Sequence, residues 1–276
     1  MVKKLLLAIL LLPLLAIGNE KVLQLQCIPS PNLLKNANFS KITPQKHPIA
    51  WKFDNCSKSP LFKSRVISMP KYNYLEIDTD WQKFGYYLQK VSIKENVSYY
   101  VSVDVQSNNP VPAIWLRCLA GKNASGKSLG NLEYVIKAYL YHSQERKEVL
   151  KDFIDEKLIS TLDDKSWNRI CKEVKIPPKR QMNSMDVRIG ICGGNAGSAR
   201  YRNPVFRRAE STLKITIKGK NWNKVTIKGA KPEVVKLNPQ KDNQVVSVKL
   251  PVACRIYKVV LAGENGKKVF GKVTNE

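Results

Sequence analysis

The fold is decided by the alternating stretch Val97-Ser98-Tyr99-Tyr100-Val101-Ser102-Val103-Asp104-Val105-Gln106-Ser107. Successive side chains of a β-strand point to opposite faces, so a period of two separates an apolar face from a polar one. The predicted inward side chains are those of Tyr99, Val101, Val103 and Val105. The predicted outward side chains are those of Tyr100, Ser102, Asp104 and Gln106. The stretch therefore predicts a half-buried strand.

Three further runs, at 114–118, 134–141 and 187–191, show the same alternation. Their predicted inward side chains are Ile114, Leu116, Cys118, Ile136, Ala138, Leu140, Val187, Ile189 and Ile191. Their predicted outward side chains include Trp115, Arg117, Lys137, Tyr139 and Tyr141. Turn-forming residues separate the runs, and many short strands at this spacing favour an all-β sandwich. The segment 145–162 fits either an amphipathic helix or a turn with a returning strand, and we favour the turn because its neighbours are strands.

The chain is strongly basic. Its 276 residues contain 47 Lys+Arg and 22 Asp+Glu, which gives a formal net charge of +25. Such a charge suggests an acidic partner, such as an anionic glycan, an anionic cell wall or nucleic acid. The basic residues are dispersed, which instead favours a solvated surface, and no nucleic-acid-binding motif accompanies them. With only two histidines, His47 and His142, the composition excludes a multi-histidine metal site.

The N-terminus has the features of a secretory signal. Two lysines precede the apolar run Leu5–Ile17, and small residues follow it, so we predict a signal peptide at 1–18 with cleavage after Gly18. The alternative is a membrane anchor, but the run is shorter than the roughly 20 apolar residues that span a bilayer. We expect a secreted, periplasmic or cell-surface protein, in which disulfides among the six cysteines are plausible and their pairing is open.

A change of composition after Phe206-Arg207-Arg208 indicates two domains, at 19–208 and 209–276. The second domain contains two similar stretches in which apolar residues alternate with lysine and threonine, Leu213–Gly219 and Lys224–Gly229. Three more alternating runs follow at 245–250, 256–261 and 268–273. These runs predict a small basic β-domain, either an Ig-like sandwich or an appendage of the first domain.

Four stretches of the larger domain resemble carbohydrate-binding modules of families four and nine. In chain order they are Asn32–Phe39 with Ile49-Ala50-Trp51, Gln89–Ile93 with Val97–Val105, Trp167–Ile170 with Ile176-Pro177, and Val187–Ile191 with Asn203–Phe206. The resemblance covers about residues 31–208 and implies a galactose-binding-like jelly roll. Within such a sandwich we interpret Trp51, Trp167 and Tyr99 as structural, since large rings at strand entries seal a core.

The resemblance departs from the family in one place. Members often carry an acidic residue before the last strand, where a structural calcium is held, but this chain has Arg200-Tyr201-Arg202-Asn203 there. Calcium requires oxygen ligands, so we predict no cofactor at this position. Asp78 and Asp80 share one face of a strand and form an alternative cation site, although such a pair also fits a solvated strand face.

Sugars are bound by flat aromatic rings together with hydrogen-bonding groups. The outward side chains have that composition, and the resemblance places their strands side by side in one sheet. The predicted ligand-binding residues of this face are Trp115, Arg117, Tyr139, Tyr141, Tyr100 and Asp104. The alternative is that the second domain or an inserted loop covers these aromatics as an interdomain core.

A second candidate site is the aromatic segment Asp80–Tyr87, which leads from a loop into a strand. Trp81 and Tyr86 are its predicted ligand-binding residues, since loops at one rim of such sandwiches often carry the site. The alternative is that Phe84 and Tyr87 plug the end of the sandwich.

No catalytic constellation is present, since the sequence lacks GxSxG, HExxH and P-loop motifs. We therefore expect a secreted, non-catalytic carbohydrate-binding protein, with an anionic or cell-envelope polysaccharide as the favoured ligand class. The alternative is a structural or adhesion protein of the cell envelope that uses the jelly roll for protein contacts. A polysaccharide lyase that uses tyrosine and arginine is a third, more distant reading.

Overall fold

The computed structural model describes residues 22–56, 58–80, 84–108, 110–118, 125, 130, 132–137, 167–194, 196–229, 232–251 and 255–275. These residues form β-strands and contain no α-helix, and none of their helical turns is long and apolar enough to cross a membrane. The chain divides into a larger unit, Ser30–Ala209, and a smaller unit that combines the N-terminal segment up to Pro29 with Glu210–Glu276. The predicted segment 145–162 lies outside the described residues.

The larger unit consists of two five-stranded antiparallel sheets. Its strands are β2 (Lys52–Asp54), β3 (Lys63–Ser68), β4 (Asn73–Thr79), β5 (Phe84–Ser92), β6 (Ser98–Ser107), β7 (Pro110–Cys118), β8 (Leu132–Lys137), β9 (Asn168–Lys175), β10 (Ser184–Gly194) and β11 (Gly197–Arg208). Sheet I has the order β2-β5-β10-β7-β8, and sheet II has the order β3-β4-β11-β6-β9. Among these strands, only the β3–β4 and β7–β8 connections stay within one sheet. This crossing pattern is the predicted jelly-roll sandwich.

The core of the larger unit is built from the side chains that alternation placed inward. Val101, Val103 and Val105 of β6 are buried, as are Ile114 and Leu116 of β7. Each fully buried aliphatic side chain contributes roughly 1.5–3 kcal/mol to stability. The inward sets on β6, β7 and β10 are therefore confirmed.

Two of the three rings interpreted as structural fill this core. Tyr99 stacks on Phe206 with ring centroids 5.1 Å apart, and Trp51 packs edge-on against Phe39 at 5.9 Å. Trp167 differs, because it lies half-buried on the outer side of sheet II against Tyr72. Its place at the entry of β9 directs the ring outward instead of into the core.

Two polar residues from the family-like motifs fasten the opening loop of the larger unit. The Asn32 side chain accepts hydrogen bonds from the amides of Leu34 (3.2 Å) and Phe206 (3.0 Å) and donates one to the carbonyl of Pro204 (3.0 Å). Gln89 is buried and bonds both the amide (2.6 Å) and the carbonyl (3.0 Å) of Lys35. Buried backbone groups need partners, so these side chains have a structural role.

The smaller unit is a sandwich of a three-stranded and a four-stranded sheet. Its strands are β1 (Leu23–Pro29), β12 (Ser211–Ile217), β13 (Trp222–Lys228), β14 (Glu233–Lys236), β15 (Gln244–Leu250), β16 (Arg255–Gly263) and β17 (Lys268–Asn275). The orders are β1-β12-β15 and β14-β13-β16-β17, around a core that includes Trp222 and Leu261. The small Ig-like β-sandwich and its five alternating runs are confirmed.

The N-terminal segment is a correction to the predicted domain limits of 19–208 and 209–276. Leu23–Pro29 pairs antiparallel with β12, with Leu23 opposite Ile217 and Pro29 opposite Ser211. The half-buried Leu23 and Leu25 pack against the core of the smaller unit. The strand Leu23–Pro29 therefore belongs to the C-terminal sandwich, and the larger unit begins at Ser30.

Two of the six cysteines do not form the expected disulfides. Cys56 and Cys118 carry free thiols, one exposed and one buried on the inward face of β7. Burial, followed by the charge of Asp186, raises the pKa of the Cys118 thiol to about 12. The disulfide prediction is therefore wrong for these two residues, while the side chains of Cys192 and Cys254 lie outside the described part.

Candidate functional site

The predicted ligand-binding face is divided between the two sheets. Strand β6, with Tyr100 and Asp104, belongs to sheet II, whereas β7, with Trp115 and Arg117, belongs to sheet I. The prediction of one continuous face is therefore wrong, because the chain crosses the sandwich between β6 and β7. The outward sides of the two strands point in opposite directions. Tyr139, Tyr141 and Trp81 lie outside the described residues.

On sheet II, the two predicted residues are covered by neighbouring arginines. Tyr100 is 3% exposed, and the guanidinium carbon of Arg207 lies 4.8 Å from the centre of its ring. Asp104 is 7% exposed and accepts hydrogen bonds from Arg169 Nε (2.9 Å) and Asn203 Nδ2 (3.0 Å). These contacts use both side chains within the sheet, so neither is presented to a ligand.

A second ion-pair cluster on sheet II centres on Glu76. Its carboxylate accepts hydrogen bonds from Arg65 Nη2 at 2.9 Å and from Arg200 Nε at 2.8 Å. Burial alone would raise the pKa of Glu76, but the hydrogen bonds from the two arginines outweigh it and lower the pKa below its ordinary value. Burial and the charge of Glu76 together raise the pKa of the neighbouring Asp78.

Asp78 and Asp80 both have neighbours within the protein. Asp78 lies between Lys63 and Ser198 in the sheet register, and Asp80 accepts a hydrogen bond from Ser59 Oγ at 3.1 Å. No group of three or more His, Cys, Asp or Glu side chains suited to a metal ion occurs in the described part of the chain. Before the last strand segment of sheet II, Arg200 and Arg202 form ion pairs with Glu76 and Asp104.

On sheet I, the structure brings together residues from the two separate sequence candidates. The rings of Tyr86 on β5 and Trp115 on β7 meet across β10, with centroids 5.8 Å apart and planes inclined at 58°. Both side chains are half-buried. We call the surrounding surface the Trp115 face, defined by the outward residues of the three central strands: Tyr86, Leu88, Lys90, Asp186, Arg188, Trp115 and Arg117.

Polar groups surround the two rings. The guanidinium carbon of Arg188 lies 4.7 Å from the centre of the Tyr86 ring, and Nη2 donates to Asp186 Oδ2 at 3.3 Å. The Tyr86 hydroxyl donates to Asp54 Oδ2 at 3.2 Å. Burial, followed by the Cys56 hydrogen bond, raises the pKa of Tyr86 to about 12, so this hydroxyl stays protonated near neutral pH.

The meeting of the two rings depends on a glycine in the strand between them. Gly190 lies between Tyr86 and Ala113 in the register. A Cβ at position 190 would lie 2.1 Å from the carbonyl oxygen of Gly85 and 2.6 Å from Tyr86 Cα. Only glycine permits this approach of β5 and β10, and it leaves the space above β10 to the rings.

The other predicted residues of segment 80–87 have different roles. Tyr87 is fully buried and its hydroxyl bonds Ser64 at 2.8 Å and the ring nitrogen of His47, so it belongs to the core. Phe84 is 46% exposed. Tyr87 is therefore a core residue, and Phe84 lies on the outer side of β5.

Sequence reasoning missed Arg188 and Asp186 as members of the Trp115 face. The signal was present, because the inward set at 187, 189 and 191 requires residues 186 and 188 to point outward. What alternation does not give is that β10 lies between β5 and β7. Aromatic rings on two non-consecutive strands therefore meet over a third strand whose position depends on the tertiary fold.

Comparison with known proteins gives fold likeness only. No protein-family model matches the chain, and no curated protein matches it in sequence. A family 4 carbohydrate-binding module covers 63% of this chain and 98% of its own length at 11% identity, with a TM-score of 0.35. A family 61 module in complex with β-1,4-galactotriose covers 65% of this chain and 99% of its own length at 12% identity, with a TM-score of 0.39. A Stig cyclase from Fischerella sp. TAU covers 66% of this chain and 98% of its own length at 12% identity, with a TM-score of 0.42.

Carbohydrate-binding modules and a cyclase are thus both among the solved structures that this chain resembles. One sandwich hosts several activities, so function has to be argued from the site.

Proposed function

We propose that this chain is a secreted, non-catalytic carbohydrate-binding protein whose ligand lies on the Trp115 face. The observation that carries the proposal is the half-buried pair of Tyr86 and Trp115 beside Arg188 on an outer sheet face. Aromatic faces stack on the CH groups of a sugar ring, and an inclined pair offers contacts to two sides of one residue. Secretion by the predicted signal at 1–18 is part of this proposal.

The polar groups of the face can hydrogen-bond the hydroxyls of a sugar and so orient it on the rings. Arg188 and Arg117 donate hydrogen bonds, Asp186 and Asp54 accept them, and sugar hydroxyls do both. Arg117 lies opposite Asp186 in the register, and Lys90 lies opposite Asp186 on the other side. On the whole sheet face, the cations Lys52, Lys90, Arg117 and Arg188 outnumber the carboxylates Asp54, Glu133 and Asp186. This small excess of positive charge favours a polysaccharide with anionic groups, such as uronates or sulfates.

Affinity electrophoresis through gels that contain single polysaccharides tests the proposal. Residues 19–276 should be retarded by at least one anionic polysaccharide, and Trp115→Ala should weaken this binding about 30-fold, the loss of a binding hot spot of about 2 kcal/mol. Trp167→Ala is the matched control, because it removes a half-buried tryptophan from the outer side of sheet II.

Equal retardation of both tryptophan variants would contradict the Trp115 face as the binding site. A blank polysaccharide panel, together with capture of a protein partner, would favour the adhesion alternative instead. New reducing ends or unsaturated sugars after incubation would contradict the non-catalytic part of the proposal.

A further inference from the structure

The smaller unit presents a second surface of unusual composition, which the carbohydrate proposal does not use. This surface is the outer face of the four-stranded sheet β14-β13-β16-β17. Its exposed lysines, which define what we call the lysine face, are Lys224, Lys228, Lys236, Lys258, Lys268 and Lys272. Among the described residues of these four strands, no Asp or Glu occupies an outward position in register with them.

The lysines stand in two rows across the strands. Lys228, Lys258 and Lys272 are direct neighbours on β13, β16 and β17. Lys236 and Lys224 are neighbours in the other row, which continues through Ala262 to Lys268. Like charges directly opposite each other in a sheet destabilise it. Folding therefore does not account for these rows, whereas an anionic partner does.

An apolar row lies between the two lysine rows. It consists of Val234, Thr226, Val260 and Phe270, again in register across the sheet. Phe270 is 72% exposed, and Val234 is 57% exposed. Ile256, at the end of the same face, is 64% exposed. A patch of exposed apolar side chains rimmed by polar ones is typical of an interaction surface.

The spacing follows from strand geometry. Each lysine row is two residues along the strands from the apolar row, so the two rows stand about 13 Å apart at roughly 3.3 Å per residue. A groove of 490 Å³ lies along the apolar row and one lysine row, and its lining includes Lys258, Phe270 and Lys272. Four strands make the face about 19 Å wide. The result is a broad surface with an apolar centre and a cationic rim.

We propose that the lysine face docks on an anionic lipid bilayer. In this arrangement Phe270, Ile256 and Val234 enter the boundary between headgroups and acyl chains, and the lysine rows contact the anionic headgroups. A glycan is the weaker fit, because the described face offers no Trp or Tyr ring and only threonine hydroxyls besides the lysines. The proposal is independent of the carbohydrate site, which lies on the other sandwich.

Vesicle co-sedimentation tests the docking. The probe is large unilamellar vesicles of phosphatidylcholine, with and without phosphatidylglycerol. The protein is residues 19–276, because the apolar run Leu5–Ile17 would bind bilayers by itself. Binding should require phosphatidylglycerol and should weaken as salt is added, since exposed charges are screened.

Variants locate the contact on the lysine face. Lys258→Gln, at the centre of one row, should lower the partition coefficient about fivefold, because each basic residue near an anionic surface contributes about 1 kcal/mol. Phe270→Ala should lower it about tenfold through lost apolar burial. Lys214→Gln is the matched control, an exposed lysine on β12 of the other sheet, and should leave binding unchanged.

The outcomes separate the possibilities. Equal binding to both vesicle types, or equal effects of Lys258→Gln and Lys214→Gln, would overturn the proposal. Binding to an anionic polysaccharide or to DNA that Lys258→Gln abolishes, without binding to vesicles, would overturn it in favour of a soluble polyanion. Loss of vesicle binding with Phe270→Ala, while polysaccharide retardation is retained, supports it and leaves the Trp115 face intact.

Discussion

Glu76 offers a sharp test of how the larger unit is held together on its outer side. The side chain is 7% exposed and accepts three hydrogen bonds from two arginines, at 2.9 and 3.3 Å from Arg65 and at 2.8 Å from Arg200. Glu76→Gln keeps the shape and removes the charge. Hydrogen bonds to charged groups contribute roughly 1.5–3 kcal/mol each. However, Arg65 and Arg200 are 55% and 40% exposed, so water weakens both pairs.

The expected loss of unfolding free energy is therefore about 2 kcal/mol in total, below the sum of fully buried charged bonds. For a unit of this size, that loss lowers Tm by about 4–8 °C. Thermal unfolding followed by circular dichroism at about pH 7 measures it. The pKa of Glu76 is lowered in the folded protein, so its contribution is complete above the ordinary pKa of about 4.3 and is lost as pH falls through the folded value.

The difference in Tm between the wild type and Glu76→Gln should accordingly shrink when the measurement is repeated at about pH 3. Asp78→Asn, on the same strand, is the matched control. The pKa of Asp78 is raised, so its ionised form opposes folding at neutral pH, and Asp78→Asn should keep or raise Tm. The reasoning is refuted if Glu76→Gln leaves Tm unchanged at neutral pH, or lowers it equally at both pH values.

Three further predictions concern single features of the two sandwiches. Gly190→Ala places a Cβ 2.1 Å from the carbonyl oxygen of Gly85 and should cost about 1–3 kcal/mol, seen as a lower Tm, whereas an unchanged Tm would show that β5 and β10 are not so close. Iodoacetamide at mildly alkaline pH should alkylate the exposed Cys56 in the native protein. The buried Cys118, whose pKa is raised to about 12, should react only after the protein is unfolded. Mass spectrometry of native and denatured samples measures both reactions. Deletion of residues 1–29 should remove the unfolding transition of the smaller unit and leave that of the larger one, since β1 completes the three-stranded sheet, and two intact transitions would contradict its place there.

Alternation along single strands was sufficient to predict the core. The inward sets on β6, β7 and β10 depend only on neighbouring residues, and the period of two determines which side of a strand is apolar. The five runs after residue 209 became strands for the same reason. The order of the family-like motifs along the chain was sufficient to predict the jelly roll. Two residues of these motifs, Asn32 and Gln89, form hydrogen bonds with backbone groups that are distant in sequence and close in the fold.

Pairing between distant strands was beyond the sequence. Placing Tyr100 with Trp115 required β6 and β7 to share a sheet, and alternation contains no information on whether a connection crosses the sandwich. Leu23–Pro29 was assigned to the wrong domain because a strand pairs by register and not by proximity in sequence. Trp167 was placed in the core by size, although the cation–π contact with Arg202, 4.3 Å from its ring, holds it outside.

The central claim is that sugars bind on the Trp115 face, and the indole N–H signals of the protein test it without any substitution. A ¹H–¹⁵N spectrum of residues 19–276 contains the signals of the five tryptophans, which include Trp115 at the proposed site and Trp167 on the opposite side of the same sandwich. Titration with an oligosaccharide from the polysaccharide that retards the protein should shift the Trp115 signal and leave that of Trp167 in place. A bound oligosaccharide that shifts the Trp167 signal and leaves that of Trp115 unmoved would contradict the account.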